Sequence, residues 1–567
     1  MIPQIKPYRD AVLLALLLLG ILFFATIGVR PFANPDEGRY TEIPREMLVN
    51  RDWISPRLNG VLYFEKPPLL YWLQAVALKV GGVNEFSSRF WTAAFALIGC
   101  AATYLTGSRL FGEKSGLFAA LVLGTSLLYF ILSQIVILDM AVSVLISSAL
   151  FAFLLAVREP PGRRRFLLCH LFFLLLALAT LTKGLIGIVI PGAIIFLWVL
   201  LLNKWRNLWP FYPLTTVPLF LLVAVPWHYL AWRAHPEFAW FYFVNEHFLR
   251  YLTPAGHDRV EPIWYYFVIL PIGLIPWAGF LPQSLRQAFA GGWKGFRERP
   301  ETAFLIIWVL FILLFFSASS SKLAPYILPA YPPLALMIGS SLAGGYAWKN
   351  PINPRAGIYA FAVIALLLAI AFPIIAVDKM EKVGSGLMKW AVAASLILGT
   401  GSIAGFIAAS KSRMEKILIV PLLTMAGIYL IFNPLAHYLK NDSTKALVMY
   451  LKEIGANPAD VYSLFDYQQD LPPYLGSCVT IAADRPEEQE FGIALEPDAA
   501  EWLDAEAFLA RWKQDHPQYA IVRKGKADEF AREHPDWEAW LVKASTRYYL
   551  ISNKSLAAGE SRLPVMD

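Results

Sequence analysis

Carboxylates and cations recur in this chain where apolar runs give way to polar sequence. Asp36 and Glu37 stand in "NPDEGRY" (34–40), Glu65 and Lys66 in "YFEKPP" (63–68), and Asp139 in "SQIVILDMAVSVLI". Carboxylates so placed act as general bases, hold an ammonium group or orient a second substrate. The bland alternative for Asp36 and Glu37 is helix capping. Acids in a first helical turn gain a few tenths to ~1 kcal/mol from the macrodipole. For Asp139 the balance tips further toward function. A carboxylate at the centre of a lipid-embedded helix costs ~2.5–3.5 kcal/mol, and one near the interface costs less.

A basic and aromatic set accompanies the acids: Arg39, Tyr40, Tyr63, Lys66, Arg250, Lys322 and Tyr326. Singly, such residues snorkel or belt the interface. Together they offer the charge and hydroxyl donors that recognise a phosphate. His247, in "FVNEHFLRYL", could join Glu65 on a zinc ion. Zinc takes a set of three or four ligands, however, and no motif of that spacing is present, so no cofactor is obligatory. Cys100 and Cys169 fall in apolar segments and Cys478 stands alone, so there is no disulfide framework.

Membrane helices must position these residues. Of the 567 residues, 57% are hydrophobic and 16% charged, where a soluble chain carries about 25% charged. Mean hydropathy is +0.51. Apolar runs predict thirteen spans near 10–29, 89–107, 116–133, 137–156, 166–182, 184–202, 211–232, 262–284, 302–318, 325–345, 356–376, 388–409 and 417–437. The first lacks a clean cleavage site and reads as a retained helix. Lys and Arg concentrate in "REPPGRRR", "RQAFAGGWKGFRERP" and "KSRMEK", which places the N-terminus inside. The net charge of +7 fits such loops and anionic lipid, with no nucleic-acid surface.

Residues 30–88, 233–261, 319–324 and everything beyond about 438 then lie outside. In the first loop Asn34 is the expected N-cap, Pro35 the first helical residue and Pro44 the start of a second short helix. "PPLLYWLQAVALKVGG" predicts a surface helix. Residues 1–440 form the membrane domain and 441–567 a soluble α/β domain. In the latter, "DVYSLF", "CVTIAA", "YAIVRK" and "RYYLIS" read as strands.

"NPDEGRYTEIPREMLVNRDWISPRLNGVLYFEKPPLLYW", "LDMAV" and "SSSKLAPYILPAYPPLA" closely resemble the lipid A aminoarabinose transferases. These are membrane-embedded GT-C glycosyltransferases related to protein O-mannosyltransferases. The resemblance implies a GT-C fold of about thirteen membrane helices with a periplasmic α/β domain. It also implies inverting transfer of 4-amino-4-deoxy-L-arabinose from undecaprenyl phosphate to a lipid A phosphate. The reaction would run on the periplasmic face of the bacterial inner membrane and give polymyxin resistance. Asp36 matches the acidic residue that GT-C enzymes carry in their first external loop. Asp36, Glu65 and Asp139 are the expected catalytic residues. Arg39, Tyr40, Tyr63, Lys66, Arg250 and Tyr326 are expected to hold the donor phosphate. Another GT-C transferase, with a different sugar or a protein hydroxyl acceptor, would share this chemistry. A transporter would show related halves and polar residues near the midplane, and neither is present. A non-catalytic scaffold would leave the charges of the first loop unexplained.

Overall fold

In lipid every backbone N–H and C=O must be satisfied within the protein, so the apolar runs form helices. The computed structural model describes residues 8–249, 261–344, 353, 355–383, 386–411, 418–439, 442–484, 486–499, 502–534, 537–556 and 561–563. Among the described residues, nine helices are long and apolar enough to cross a membrane. Two bent pairs, α5 (Glu113–Gly124) with α6 (Leu127–Ser133) at 63° and Tyr265–Gly273 with Ala278–Ala288 at 108°, bring that number to eleven if each is one span. The runs expected at 10–29 and 184–202 form helices α1 (Arg9–Phe24) and, further along, Ile186–Leu202, of 16 and 17 residues. Leu13, Leu14, Leu17 and Leu18 of α1 are exposed, the pattern of a lipid-facing surface.

The long loop after α1 is layered over these helices. Helix α2 (Asp36–Asn50) leads into a hairpin of β1 (Arg57–Leu58) and β2 (Val61–Leu62), then α3 (Leu69–Gly81). The expected break at Pro44 does not occur, and α2 runs through it. An interior proline costs ~3 kcal/mol or more. Here burial of ten α2 residues, Pro44 among them, offsets that cost. Nor does Asn34 cap the helix: Pro35 holds that position and the Asn34 amide bonds elsewhere.

Glu37 ties the loop to the membrane helices. Arg89 of α4 (Glu85–Phe111) grips its carboxylate through two bonds of 2.7 and 2.8 Å. Arg30 stands 2.9 Å away, and the backbone N–H groups of Ala33 and Val136 donate at 2.8 and 3.1 Å. Arg89 also donates to the carbonyls of Ile27, Arg30 and Pro31. Burial alone would push the Glu37 carboxyl up, but the two guanidinium groups outweigh it and hold it at about 2.

The C-terminal unit is built on a seven-stranded sheet in the order β5-β4-β3-β6-β8-β7-β9. Its strands are β3 (Val461–Leu464), β4 (Thr480–Ala482), β5 (Trp502–Leu503), β6 (Tyr519–Arg523), β7 (Trp540–Ala544), β8 (Tyr548–Ser552) and β9 (Ser561–Arg562). The first four are parallel and the rest antiparallel. The sheet unit rests on the first loop. Arg57 pairs bidentately with Glu496, and Asn59 exchanges two hydrogen bonds with the backbone of Val479. Arg45 joins the Gly476 carbonyl and chelates Glu42.

Glu46 lies in the same contact, accepting from the Gly60 N–H. Burial, and then the Glu42 charge, push its carboxyl up to about 8.

Glu37→Gln leaves Arg89 buried and underpaired and should cost roughly 3–5 kcal/mol. Asp36→Asn, at a half-exposed position, should stay within about 0.5 kcal/mol. Thermal unfolding in detergent reads both. Because the folded Glu46 pKa lies above its unfolded value, the folded state binds the extra proton. Stability should therefore fall as pH rises from the ordinary carboxylate range through about 8. Glu46→Gln should flatten that slope and raise the melting temperature above pH 8.

Candidate active site

Helix α7 (Leu138–Ala156) is buried in protein over most of its length. Its first turn presents Asp139. The neighbouring helix α8 (Arg163–Lys183) ends at the same level with Lys183. The two side chains pair at 2.6 Å, and the Lys183 ammonium lies 5.0 Å over the Tyr326 ring. Residues 65 and 66 reach this place from the first loop. Lys66 donates to Glu246 at 2.9 Å and stands 3.6 Å from the Glu65 carboxylate.

These side chains line one cavity of about 170 Å³. At its polar end are Glu65, Lys66, Asp139, Lys183, Glu246, Ser319, Ser321 and Tyr326. Its other flank is apolar, made by Val142, Ile146, Ile186, Ile190 and Phe316. Lys322 is buried beside it and donates to the Ser319 carbonyl at 2.7 Å. The cavity thus combines two ammonium groups, each held by a carboxylate, with a greasy wall between membrane helices. An amphiphile with an anionic head and an alkyl chain fits that combination.

Asp36, Arg39, Tyr40 and Tyr63 form an adjoining layer on α2 and the segment just after β2. Asp36 is half-exposed and 3.8 Å from Arg39. The Arg39 guanidinium lies 5.9 Å from the ring centres of both Tyr40 and Tyr63. It also bonds Gln469 and Glu488 of the C-terminal unit. Burial pushes the Tyr40 hydroxyl up, and the charges of Asp36, Glu65 and Asp139 act in the same direction against the Arg39 cation. All three expected acids therefore act on one hydroxyl, which stays a donor. Among the described residues, the buried Tyr63 hydroxyl has no hydrogen-bond partner.

The structure thus gathers Glu65, Lys66, Asp139 and Tyr326 at the cavity, with Asp36, Arg39, Tyr40 and Tyr63 beside them. Glu37, grouped with the acids by sequence, is instead the buried tie to α4. Arg250 lies outside the described residues. His247 belongs to the π-helix Trp240–Leu249, but its side chain also lies outside them. The expected Glu65–His247 metal pair is therefore described only at Glu65. Among the described residues, Glu42, Glu46 and Cys478 place ligand-type atoms within 4.8 Å of one another, at the contact with the C-terminal unit. Arg45 already neutralises Glu42 there.

Lys183 and Glu246 escaped the sequence reading. Lys183 had a visible signal, a lone cation interrupting the apolar run 166–202. Glu246 sits beside His247 in an aromatic segment, where nothing local singles it out. Gln469 and Glu488 lie more than 400 residues from Arg39 and carry no local signal.

Residues 65–230 match the family model for dolichyl-phosphate-mannose-protein mannosyltransferases, and 447–550 that for the aminoarabinose transferase C-terminal domain. The chain is 34% identical over 421 residues to an undecaprenyl phosphate-α-4-amino-4-deoxy-L-arabinose arabinosyl transferase of Sodalis glossinidius, covering 70% of this chain and 71% of that one. A like-named protein of Aeromonas salmonicida is 32% identical over 366 residues, covering 62% and 65% of the two chains. The chain therefore spans about two thirds of the length of the curated relatives it matches. The solved structure of ArnT from Cupriavidus metallidurans bound to undecaprenyl phosphate superimposes with a TM-score of 0.84 at 26% identity, over 97% of this chain and 99% of that one.

The Asp139–Lys183 pair provides a test of the cavity's electrostatics. Asp139→Asn, Lys183→Gln and the double variant should be non-additive in unfolding free energy by roughly 0.5–3 kcal/mol. Additive losses in detergent melts would mean that the two groups do not share an interaction.

Proposed function

The chain belongs to the undecaprenyl phosphate-α-4-amino-4-deoxy-L-arabinose arabinosyl transferases, and on that premise we propose that it moves this amino sugar from undecaprenyl phosphate to a phosphate of lipid A. The single observation that carries the reading is the cavity's charge pattern. Lys66, Lys183 and Tyr326 suit a lipid phosphate, Glu65, Asp139 and Glu246 suit the sugar ammonium, and the apolar flank suits the prenyl chain. Few donors other than a polyprenyl phosphate bearing an amino sugar need all three.

In the proposed step an oxygen of the acceptor phosphate attacks the anomeric carbon. The bond from that carbon to the donor phosphate oxygen breaks, and the electron pair leaves with the lipid phosphate. The leaving group thereby gains negative charge, and preorganised cations and hydroxyl donors stabilise it as it forms. Lys66 and Lys183 serve that purpose because Glu246 and Asp139 already hold them in the cavity. An acceptor phosphate is ionised at neutral pH, so no base need deprotonate it. Asp36, the half-exposed acid above the cavity, orients the acceptor. The reading requires no cofactor. A zinc ion held by Glu65 and His247 would add positive charge on the phosphate side, which metal analysis of the purified chain reports. By the positive-inside argument, the site and the C-terminal unit face the periplasm of the inner membrane.

The test is mass spectrometry of lipid A from an aminoarabinose-producing, transferase-deleted strain. The parent chain should add the sugar. Asp36→Asn, at equal abundance, should reduce the adduct by roughly 10²-fold. A folded parent that leaves lipid A unmodified would overturn the acceptor assignment.

A further inference from the structure

Asp36 is flanked by residues that dock on the C-terminal unit. Before it, the Phe32 ring stacks on Tyr474 at 4.9 Å, and the Phe32 N–H donates to the Tyr474 hydroxyl at 2.8 Å. Asn34 then forms a reciprocal pair with Asp470. Its amide donates to the Asp470 carboxylate at 2.6 Å, while its oxygen accepts from the Asp470 N–H at 2.9 Å. The same amide donates to the Asp442 carbonyl at 2.9 Å. After Asp36, Gly38 lies against the chain at Gln469 and Asp470. A Cβ there would stand 2.5 Å from the Asp470 nitrogen, so only glycine permits the approach. Arg39 completes the set through Gln469 and Glu488.

Asp470 is fully buried, and its second oxygen accepts from the Ser443 hydroxyl at 2.7 Å and the Thr444 N–H at 2.8 Å. The carboxylate therefore joins the first loop to the start of the C-terminal unit. "NPDEGRY" divides accordingly: Asn34, Gly38 and Arg39 face the C-terminal unit, Glu37 faces α4, and Asp36 is left half-exposed.

We propose that Gln469 and Asp470 of the C-terminal unit are positioning residues of the site: they seat residues 34–39 and so set where the Asp36 carboxylate stands. The proposal rests on the transfer reading above. Its chemistry is geometric, because a reacting group displaced by about 1 Å loses on the order of 10²-fold in rate. The pair is also exchangeable in principle. With Asp at 34 and Asn at 470, residue 34 accepts from both donors of residue 470, whose amide oxygen still faces Ser443 and Thr444. The bond to the Asp442 carbonyl is lost, and the carboxylate oxygen that takes the amide's place faces that carbonyl, so the exchange restores the contact in part.

The experiment compares the full-length parent, Asp470→Asn, Asn34→Asp and the double exchange, each purified in detergent. It measures sugar transfer from the donor lipid and hydrogen–deuterium exchange of the peptide covering 32–40. Each single variant should lower kcat by roughly 10- to 100-fold at unchanged donor KM, with faster exchange in that peptide. The double exchange should recover part of both, above either single variant. Singles at parental kcat despite faster exchange would overturn the positioning role while leaving the transfer reading intact. Losses that track the melting temperature and are not recovered by the double exchange would reduce the pair to a structural contact. A folded parent that transfers no sugar would overturn the transfer reading, and with it any part for the seat in that reaction.

Discussion

The grip of Arg89 and Arg30 on Glu37 is the contact on which the loop-bearing half of the molecule depends. A carboxylate and two guanidinium groups, all buried, pin the end of the first membrane helix, the start of α2, the α4 helix and the backbone at Val136 to one point. Removing charges from water is expensive, and the arrangement persists because each acceptor and donor is met several times over. Two residues beyond Val136 the α7 helix starts, carrying Asp139. The tie thus sets the distance between the acid on the loop and the acid on the helix.

Above that anchor, the C-terminal unit closes on the loop and takes part in its geometry. Helix α2 is buried over most of its length although it belongs to neither membrane nor sheet. That burial explains why a proline is tolerated in its middle. It also explains why a motif with the residues of a good helix start spends its asparagine and glycine on contacts with a distant segment.

Below the anchor, the cavity's charges are held in pairs that leave them available. Lys66 and Lys183 are each paired to a carboxylate inside a partly apolar chamber, where electrostatic interactions are strong. An incoming phosphate would exchange one anionic partner for another rather than desolvate a bare ammonium. Such an arrangement keeps the lysines oriented in advance, at little further cost of reorganisation.

Hydropathy and charge alone determined the membrane class, the placement of the apolar helices and the change to more polar sequence after them. Each depends on local composition averaged over about 20 residues. The same local signals made Asp36, Glu65, Lys66, Asp139 and Tyr326 legible, since charged or hydroxylated residues at the ends of apolar runs need a reason. Only the tertiary structure decided where each acid stands. Glu37 and Asp36 are neighbours of the same type, yet one is buried in an ion cluster and the other half-exposed, because a helix turns successive side chains about 100° apart. The partners of Arg39, the pairing of Lys183 and the seat of Asn34 on Asp470 likewise join residues from 44 to 449 positions apart. Pairing at that range follows from how the helices pack, which no local pattern of residues encodes.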